Sequence, residues 1–231
     1  DQIEVGLVII DPYPGRSADH VANSEPGVGV AYYILDDPTD VPDFDAMSPY
    51  WFDLVETIDH PAHHGEFLGS GRTTEVGAVF RGLLDIPISD TYTISLETDD
   101  GSHLYLGSEL LIDNGGMHGM REESTSVELE TGLHHIRIDY FQRFAAAGAI
   151  VRIEGGGLAR QIVPPSMWRH ETASTAGDAN GDGVVNIQDL LVVIDGWGPC
   201  PDPPAQCEGD VTADGAVNIQ DLLLVIEHWG Q

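Results

Sequence analysis

The order of apolar and polar residues divides the chain into two textures. Up to about residue 163 the dominant period is two. "YTISLET" (92–98) sets Tyr92, Ile94 and Leu96 against Thr93, Ser95 and Glu97. "HIRIDYF" (135–141) sets Ile136, Ile138 and Tyr140 against Arg137 and Asp139, and "IEVGLVII" (3–10) begins the same way. Successive side chains of a strand point to opposite faces, so this alternation predicts strands with one buried and one wet face. Gly- and Asp-rich turns separate the runs, which predicts an all-β sandwich or barrel over 1–163. The segment 36–75 is less regular and rich in Pro, Asp and His. It predicts a long loop region with short elements.

"PPSMWRHETASTA" (164–176) reads as a linker, opened by Pro-Pro and closed by small polar residues. The period then changes. "IQDLLVVIDGW" places Ile187, Leu190, Leu191, Ile194 and Trp197 on one helical stripe. "IQDLLLVIEHW" repeats it with Ile219, Leu222, Leu223, Ile226 and Trp229. Neither helix could bury its stripe alone, and two packed copies could. The expectation for 177–231 is a small all-α domain of two repeats.

Each helix follows an acidic dozen, "DANGDGVVNIQD" from Asp178 and "DVTADGAVNIQD" from Asp210. Numbered from one, the first carries Asp178, Asn180 and Asp182 at positions 1, 3 and 5, Gly183 at 6, Asn186 at 9 and Asp189 at 12. This is the register of an EF-hand calcium loop. Side-chain oxygens at 1, 3 and 5, the carbonyl of Val184 at 7 and a carboxylate at 12 converge on a hard cation, and the glycine permits the sharp turn. The second dozen offers Asp210, Thr212, Asp214, Gly215, the carbonyl of Ala216, Asn218 and Asp221. Thr212 brings a neutral hydroxyl, so a weaker site is expected there. Ligand repulsion without the ion makes calcium part of the folding energy. The bland alternative is a pair of Asx turns before N-capped helices. Two loops in one register, each leading into the same helix, speak against it.

This pattern resembles type I dockerins, which pair two loop–helix calcium motifs with Asp at position 12. The resemblance implies two calcium ions and docking onto a cohesin partner through loop positions 10 and 11 and the helices that follow. Here those positions are Ile187, Gln188, Ile219 and Gln220, identical in the two copies. Familiar members carry small hydroxyl residues there and Lys or Arg further on, and this chain has neither. The insert "CPDPPAQC" between the repeats is also a departure.

Composition narrows the classes. Among 231 residues, 39 acids face 9 basic residues, for a formal charge of -30. Every basic residue is Arg, and none lies past Arg169. Such a field repels nucleic acid and anionic lipid and attracts cations. Without Lys there is no Schiff-base chemistry, P-loop or Lys–Asn isopeptide bond. No apolar run is long enough to span a bilayer. A first residue Asp1 rather than Met suggests a secreted chain whose signal peptide has been removed. Cys200 and Cys207 suggest a disulfide in an oxidising compartment. Free thiols, or half of a metal site, are the other readings.

The stretches "YTISLETDDGSHLYLGSELLIDNGGMHG" and "VELETGLHHIRIDYFQ", with "GVAYYILDD" and "FRGLLDIPISDTYTI" upstream, resemble the anthrax protective-antigen-type β domain. That domain also occurs in yeast flocculins and as an insert in some β-glucosidases. The likeness covers about 25–155. It implies that Asp99 and Asp100 ligate a third calcium that also grips sugar hydroxyls. Gln142 and backbone oxygens within 143–148 would complete the site, and Asn114 and His118 would rim it. The same pair does not read as a glycosidase couple, because neighbours on a strand diverge and catalytic carboxylates need about 5 Å or more across one sugar bond. "HPAHH" (60–64) could bind zinc or copper, although loop histidines of this kind are more often solvated. His134 and His135 face opposite ways on a strand.

The expected protein is extracellular or cell-surface, non-catalytic and calcium-binding. Its β domain would recognise a glycan or a protein, and its tail would dock. Two alternatives stand beside an adhesion or assembly role. One is a self-assembling fibre or sheath subunit in which the tail binds the next copy. The other is an accessory carbohydrate-binding component of a polysaccharide-degrading complex.

Overall fold

The computed structural model describes residues 15–21, 23–172, 176–180, 185–200, 207, 209–212 and 214–230. The strand expected at 3–10 and the loop ligands Asp182 and Val184 lie outside them. Two compact units emerge, one of residues 1–20 and 26–170, the other of 21–25 and 171–231.

The strands are β1 (Ser24–Pro26), β2 (Val28–Ile34), β3 (Trp51–Val55), β4 (Asp59–His63), β5 (Val76–Ile86), β6 (Asp90–Asp99), β7 (Ser102–Leu106), β8 (Glu109–Asn114), β9 (Arg121–Leu129), β10 (Gly132–Gln142), β11 (Ala147–Gly155), β12 (Leu158–Ile162) and β13 (Trp168–Glu171). One sheet of the first unit runs β13-β5-β10-β7-β8, with β2 also on β5 and β3 on β2. The other runs β12-β11-β6-β9, with β4 on β11. The two sheets face each other as a sandwich. The expected alternation supplies the core: Tyr92, Ile94 and Leu96 from β6 meet Ile136, Ile138 and Tyr140 from β10.

The outer face of the first sheet is not simply wet. Ala31, Tyr33, Leu35, Val79 and Phe141 form a second cluster, closed by Phe44 from a 3-10 turn at Phe44–Ala46. Gly77 lies between Tyr33 and Phe141 in the strand register. A Cβ there would fall 2.4 Å from the Phe44 ring, so the glycine makes the notch in which Phe44 sits.

The expected linker 164–176 is corrected in its first half. Pro165–Met167 form a 3-10 turn and Trp168 begins β13, paired with Leu84 of β5. Trp168 is fully buried in the main core beside Val163 and Met167. The β unit therefore runs to about residue 170. Residues 173–175 lie outside the described set.

In the second unit, α1 (Ile187–Asp195) and α2 (Ile219–Glu227) begin with matching capping boxes. The Asn186 side chain accepts from Gln188 N, and Asn218 accepts from Gln220 N. Two short strands, β14 (Gly198–Pro199) and β15 (Ala216–Val217), pair with each other. The core is Val185, Val193, Val217 and Val225, with Leu190 and Leu222 partly buried against it.

This corrects the expected stripe. Ile187, Leu191, Ile194 and Trp197 face solvent, as do Ile219, Leu223, Ile226 and Trp229, each about half exposed. The cause is the carboxylate at loop position 12. Asp189 and Asp221 point into their loops and are fully buried. The residue one turn later shares that face, which turns Val193 and Val225 inward and the isoleucine–leucine stripe outward.

Truncating a large buried aromatic typically costs about 3–5 kcal/mol. Trp168→Ala should lower the stability of the β unit by about that amount in urea unfolding, and a chain cut after residue 163 should lose the cooperative transition.

Candidate functional site

In the second acidic loop the chain curls so that oxygens converge. Asp221 Oδ1 accepts from the N–H and hydroxyl of Thr212 at 3.0 and 2.8 Å, and Oδ2 accepts from Asn218 N at 2.8 Å. The Thr212 hydroxyl is also 3.3 Å from Asp210 Oδ1. The Asp210 carboxylate gathers Asp214 N at 3.1 Å and Gly215 N at 2.9 Å, and Asp214 Oδ1 takes Ala216 N at 3.0 Å. The position-3 hydroxyl thus stands within 2.8–3.3 Å of carboxylate oxygens of positions 12 and 1, a spacing compatible with ligands around a cation that binds oxygens at about 2.3–2.6 Å. The donor set fits calcium. Burial pushes the Asp221 carboxyl up, but the N–H groups of Asn218 and Thr212 and the Thr212 hydroxyl outweigh it and hold it below the ordinary range. The carboxylate is therefore charged over a wide pH range.

The first loop is built alike where it is described. Asp189 accepts from Ala179 N, Asn180 N and Asn186 N at 2.9, 3.1 and 2.7 Å. Asp178 is nearly buried and receives the Asn23 amide at 3.4 Å, a partner 155 residues away that no local pattern could announce.

Cys200 and Cys207 form a disulfide. It clasps the second loop. Cys200 N donates to Gly215 O at 3.0 Å, Pro199 pairs with Ala216, and Cys207 O accepts from Asp210 N at 3.2 Å. Cys200, Cys207 and Asp210 converge closely, yet both sulfurs are bonded to each other and offer no thiolate. The half-metal-site reading of the cysteines ends there.

In the β unit, Asp99 ends β6 and Asp100 follows it through a cis peptide bond. Asp100 is largely buried, with Oδ1 accepting from His118 N at 3.1 Å and Oδ2 from Arg143 N at 2.9 Å. Burial and the adjacent Asp100 raise the Asp99 carboxyl, with His118 and His64 opposing the shift. A bound cation would relieve that repulsion. Gln142 is fully buried, and its amide nitrogen donates to Phe144 O at 2.7 Å and Ala146 O at 2.6 Å, folding the following loop inward.

Asn114 does not rim this site. Its amide donates to Thr98 Oγ1 and Arg121 O, both at 3.1 Å, its carbonyl accepts from Arg121 Nε at 2.7 Å, and it is fully buried. It is a strut beneath the loop. His118 lies in the loop above, its ring nitrogens 3.0 Å from Asn114 O and 2.9 Å from Gly119 O. The exposed rim is made by Met117 and Phe144, linked by Arg143. Sequence reasoning missed these, although an aromatic inside "QRFAAAG" was a usable signal.

His60 and His63 pack with ring centroids 4.5 Å apart and planes tilted by 56°. Among the described residues no third ligand joins them. His134 is buried against Glu130 O at 2.8 Å, while His135 turns the other way toward Asp19. No helix among the described residues is long and apolar enough to cross a membrane.

Residues 56–153 match the PA14 domain, and residues 176–229 match the type I dockerin domain. The chain thus carries a PA14-type β sandwich followed by a calcium-binding dockerin, with a disulfide in the latter. An anti-sigma-I factor of Acetivibrio thermocellus is 33% identical over 102 residues, which cover 43% of this chain and 16% of that protein. An anti-sigma factor domain-containing protein of solved structure is 25% identical with a TM-score of 0.56, covering 64% of this chain and half of that one. A PA14 sugar-binding domain from an RTX adhesin shares the fold at 17% identity and a TM-score of 0.54, covering 63% of this chain and 98% of the domain. The chain therefore spans about half or less of the anti-sigma relatives it matches.

The clasp generates a prediction. Replacing both cysteines, Cys200→Ser with Cys207→Ser, should weaken the second calcium step about tenfold, or about 1.4 kcal/mol. The first step should be little changed, as read by calorimetric calcium titration.

Proposed function

We propose that this PA14–dockerin chain is a non-catalytic extracellular recognition component. Its β unit holds a glycan at a calcium carried by Asp99 and Asp100, and its two acidic loops hold two further calcium ions that fix the docking helices. The observation that supports docking most directly is the pair of exposed apolar stripes. Ile187, Leu191, Ile194 and Trp197 are matched by Ile219, Leu223, Ile226 and Trp229, on a unit whose buried apolar cluster, among the described residues, is four valines with partly buried neighbours. Apolar surface of this kind on a highly charged protein marks an interaction site. The partner is a cohesin, engaged through Ile187, Gln188, Ile219 and Gln220 and the helix faces beyond them.

The glycan reading draws support from the Asp100 carboxylate, fixed by two backbone N–H groups under an exposed aromatic rim. Vicinal hydroxyls can replace water on an oxygen-bound cation. The composite is a carbohydrate-binding component that a docking tail attaches to a larger assembly outside the cell.

Because the stripes are duplicated, Ile187→Asp or Ile219→Asp alone should weaken cohesin capture only about twofold, while the double variant should abolish it. Calorimetry against a panel of cohesins in calcium measures this. A chain that instead polymerises with calcium and no partner would replace docking by self-assembly.

On a glycan array in millimolar calcium, binding should be present in the wild type and absent in Asp100→Ala. An array blank for the wild type would remove the sugar reading while leaving docking intact.

A further inference from the structure

The alternation along β10 marks Arg137 and Asp139 as solvent-facing, yet Asp139 is only 4% exposed. Strands β7 and β10 pair so that Arg137 stands opposite Tyr105 and Asp139 opposite His103. These four side chains project from the sheet face opposite the main core, which takes Leu104, Leu106, Ile136 and Ile138. Across them lies the segment Val41–Asp45, anchored by Phe44 in its notch. Between segment and sheet is a cleft of about 370 Å³, a volume at the low end of small-ligand sites and suited to one ring rather than a long chain.

The floor is polar and ordered. Arg137 donates from Nε to Asp139 Oδ1 at 2.7 Å, from Nη2 to Oδ2 at 3.0 Å and from Nη1 to Asp45 Oδ2 at 2.9 Å. Its guanidinium lies 5.8 Å from the Tyr105 ring centroid. Burying such a pair is weak evidence for stability, because desolvation offsets the attraction. The lining chemistry then selects the ligand. Arg137 and the nearby Arg81 are already engaged by Asp139 and Asp45, so phosphate, sulfate and carboxylate find no free cation to pair with. The same bonds occupy Asp139 and Asp45, so a cation finds no bare carboxylate pair, and the Tyr105 ring already faces a guanidinium. An apolar ligand would leave the floor's polar groups unpaired. Hydroxyl groups both donate and accept. They suit the guanidinium N–H groups left over after these three bonds, the second lone pairs of Asp139, and the Tyr105 hydroxyl, whose partner His103 Nδ1 is distant at 3.5 Å.

We propose that this cleft is a second, calcium-independent site for a neutral, hydroxyl-rich ring, a saccharide unit, on the sheet face of Tyr105 and Arg137. It extends the glycan reading to a separate surface and stands without the Asp99–Asp100 calcium. One wall is shared: Asp40 accepts from both Val41 N and Gly116 N at 2.9 Å, tying the roof of the cleft to the loop that carries His118. A glycan held at both places would gain avidity from the second contact.

The test is a ¹⁵N NMR titration of the full chain in calcium. The probes are cellohexaose and xylohexaose, with an oligogalacturonate and a chitosan oligomer as anionic and cationic contrasts. A neutral hexaose should shift the amides of Tyr105 and Arg137 both in the wild type and in Asp100→Ala. Tyr105→Ala should weaken it about tenfold, the effect of one lost aromatic contact. His103→Ala, at the neighbouring position, should weaken it also, guarding against a folding defect in the first variant. Four results overturn the proposal: no shift with either neutral hexaose, shifts that vanish in Asp100→Ala, preference for a charged oligomer, or full binding in both folded variants. The second leaves the calcium site standing, so the two sugar readings fail separately.

Discussion

A carboxylate taken out of water must be surrounded by donors, and three such groups organise this protein. Asp100, Asp189 and Asp221 each accept backbone N–H groups from a neighbouring loop. Burial without those bonds would cost about 2–7 kcal/mol for a lone polar group and more for a charge. The requirement fixes more than the loops. In the tail it sets the rotation of each helix, hence which apolar residues are hidden and which are offered. In the sandwich it draws the His118 and Arg143 loops together over the end of β6.

The legible part of the fold is the part governed by one-dimensional period. Tyr92, Ile94, Leu96, Ile136, Ile138 and Tyr140 fall on the inner face because a strand inside a sandwich has one apolar partner surface. The repeated dozens were legible because a turn around a cation needs fixed residue types at fixed offsets. What escaped is set by distant partners. Nothing local in "DFDAM" says that Phe44 will land on Gly77, and nothing in "SMWRH" says that Trp168 will fill the core beside Leu84.

The helices illustrate a different limit. In "IQDLLVVID" nearly every rotation presents some apolar residues, so periodicity alone selects two faces and cannot rank them. The aspartate ranks them, by needing to reach its loop. Asn114 escaped for a related reason. A polar residue in a glycine-rich turn looks like surface, and only the arrival of Arg121 and Thr98 makes it a buried strut. The arginine and aspartate of the cleft were legible in identity and misplaced in environment, because the covering segment comes from far upstream.

The clasp of Cys200 and Cys207 around the second loop joins two chemical conditions in one small unit. The loop is braced by a bond that persists in oxidising surroundings, and its carboxylates suit an ion that they would hold in proportion to its abundance. Inside a reducing, calcium-poor compartment neither brace is available, and the second helix lacks the anchor that turns its apolar stripe outward in register with the first. The exposed stripe of the second helix is thereby tied to redox state and cation supply together, so the apolar face of the tail is conditional on its surroundings rather than constant.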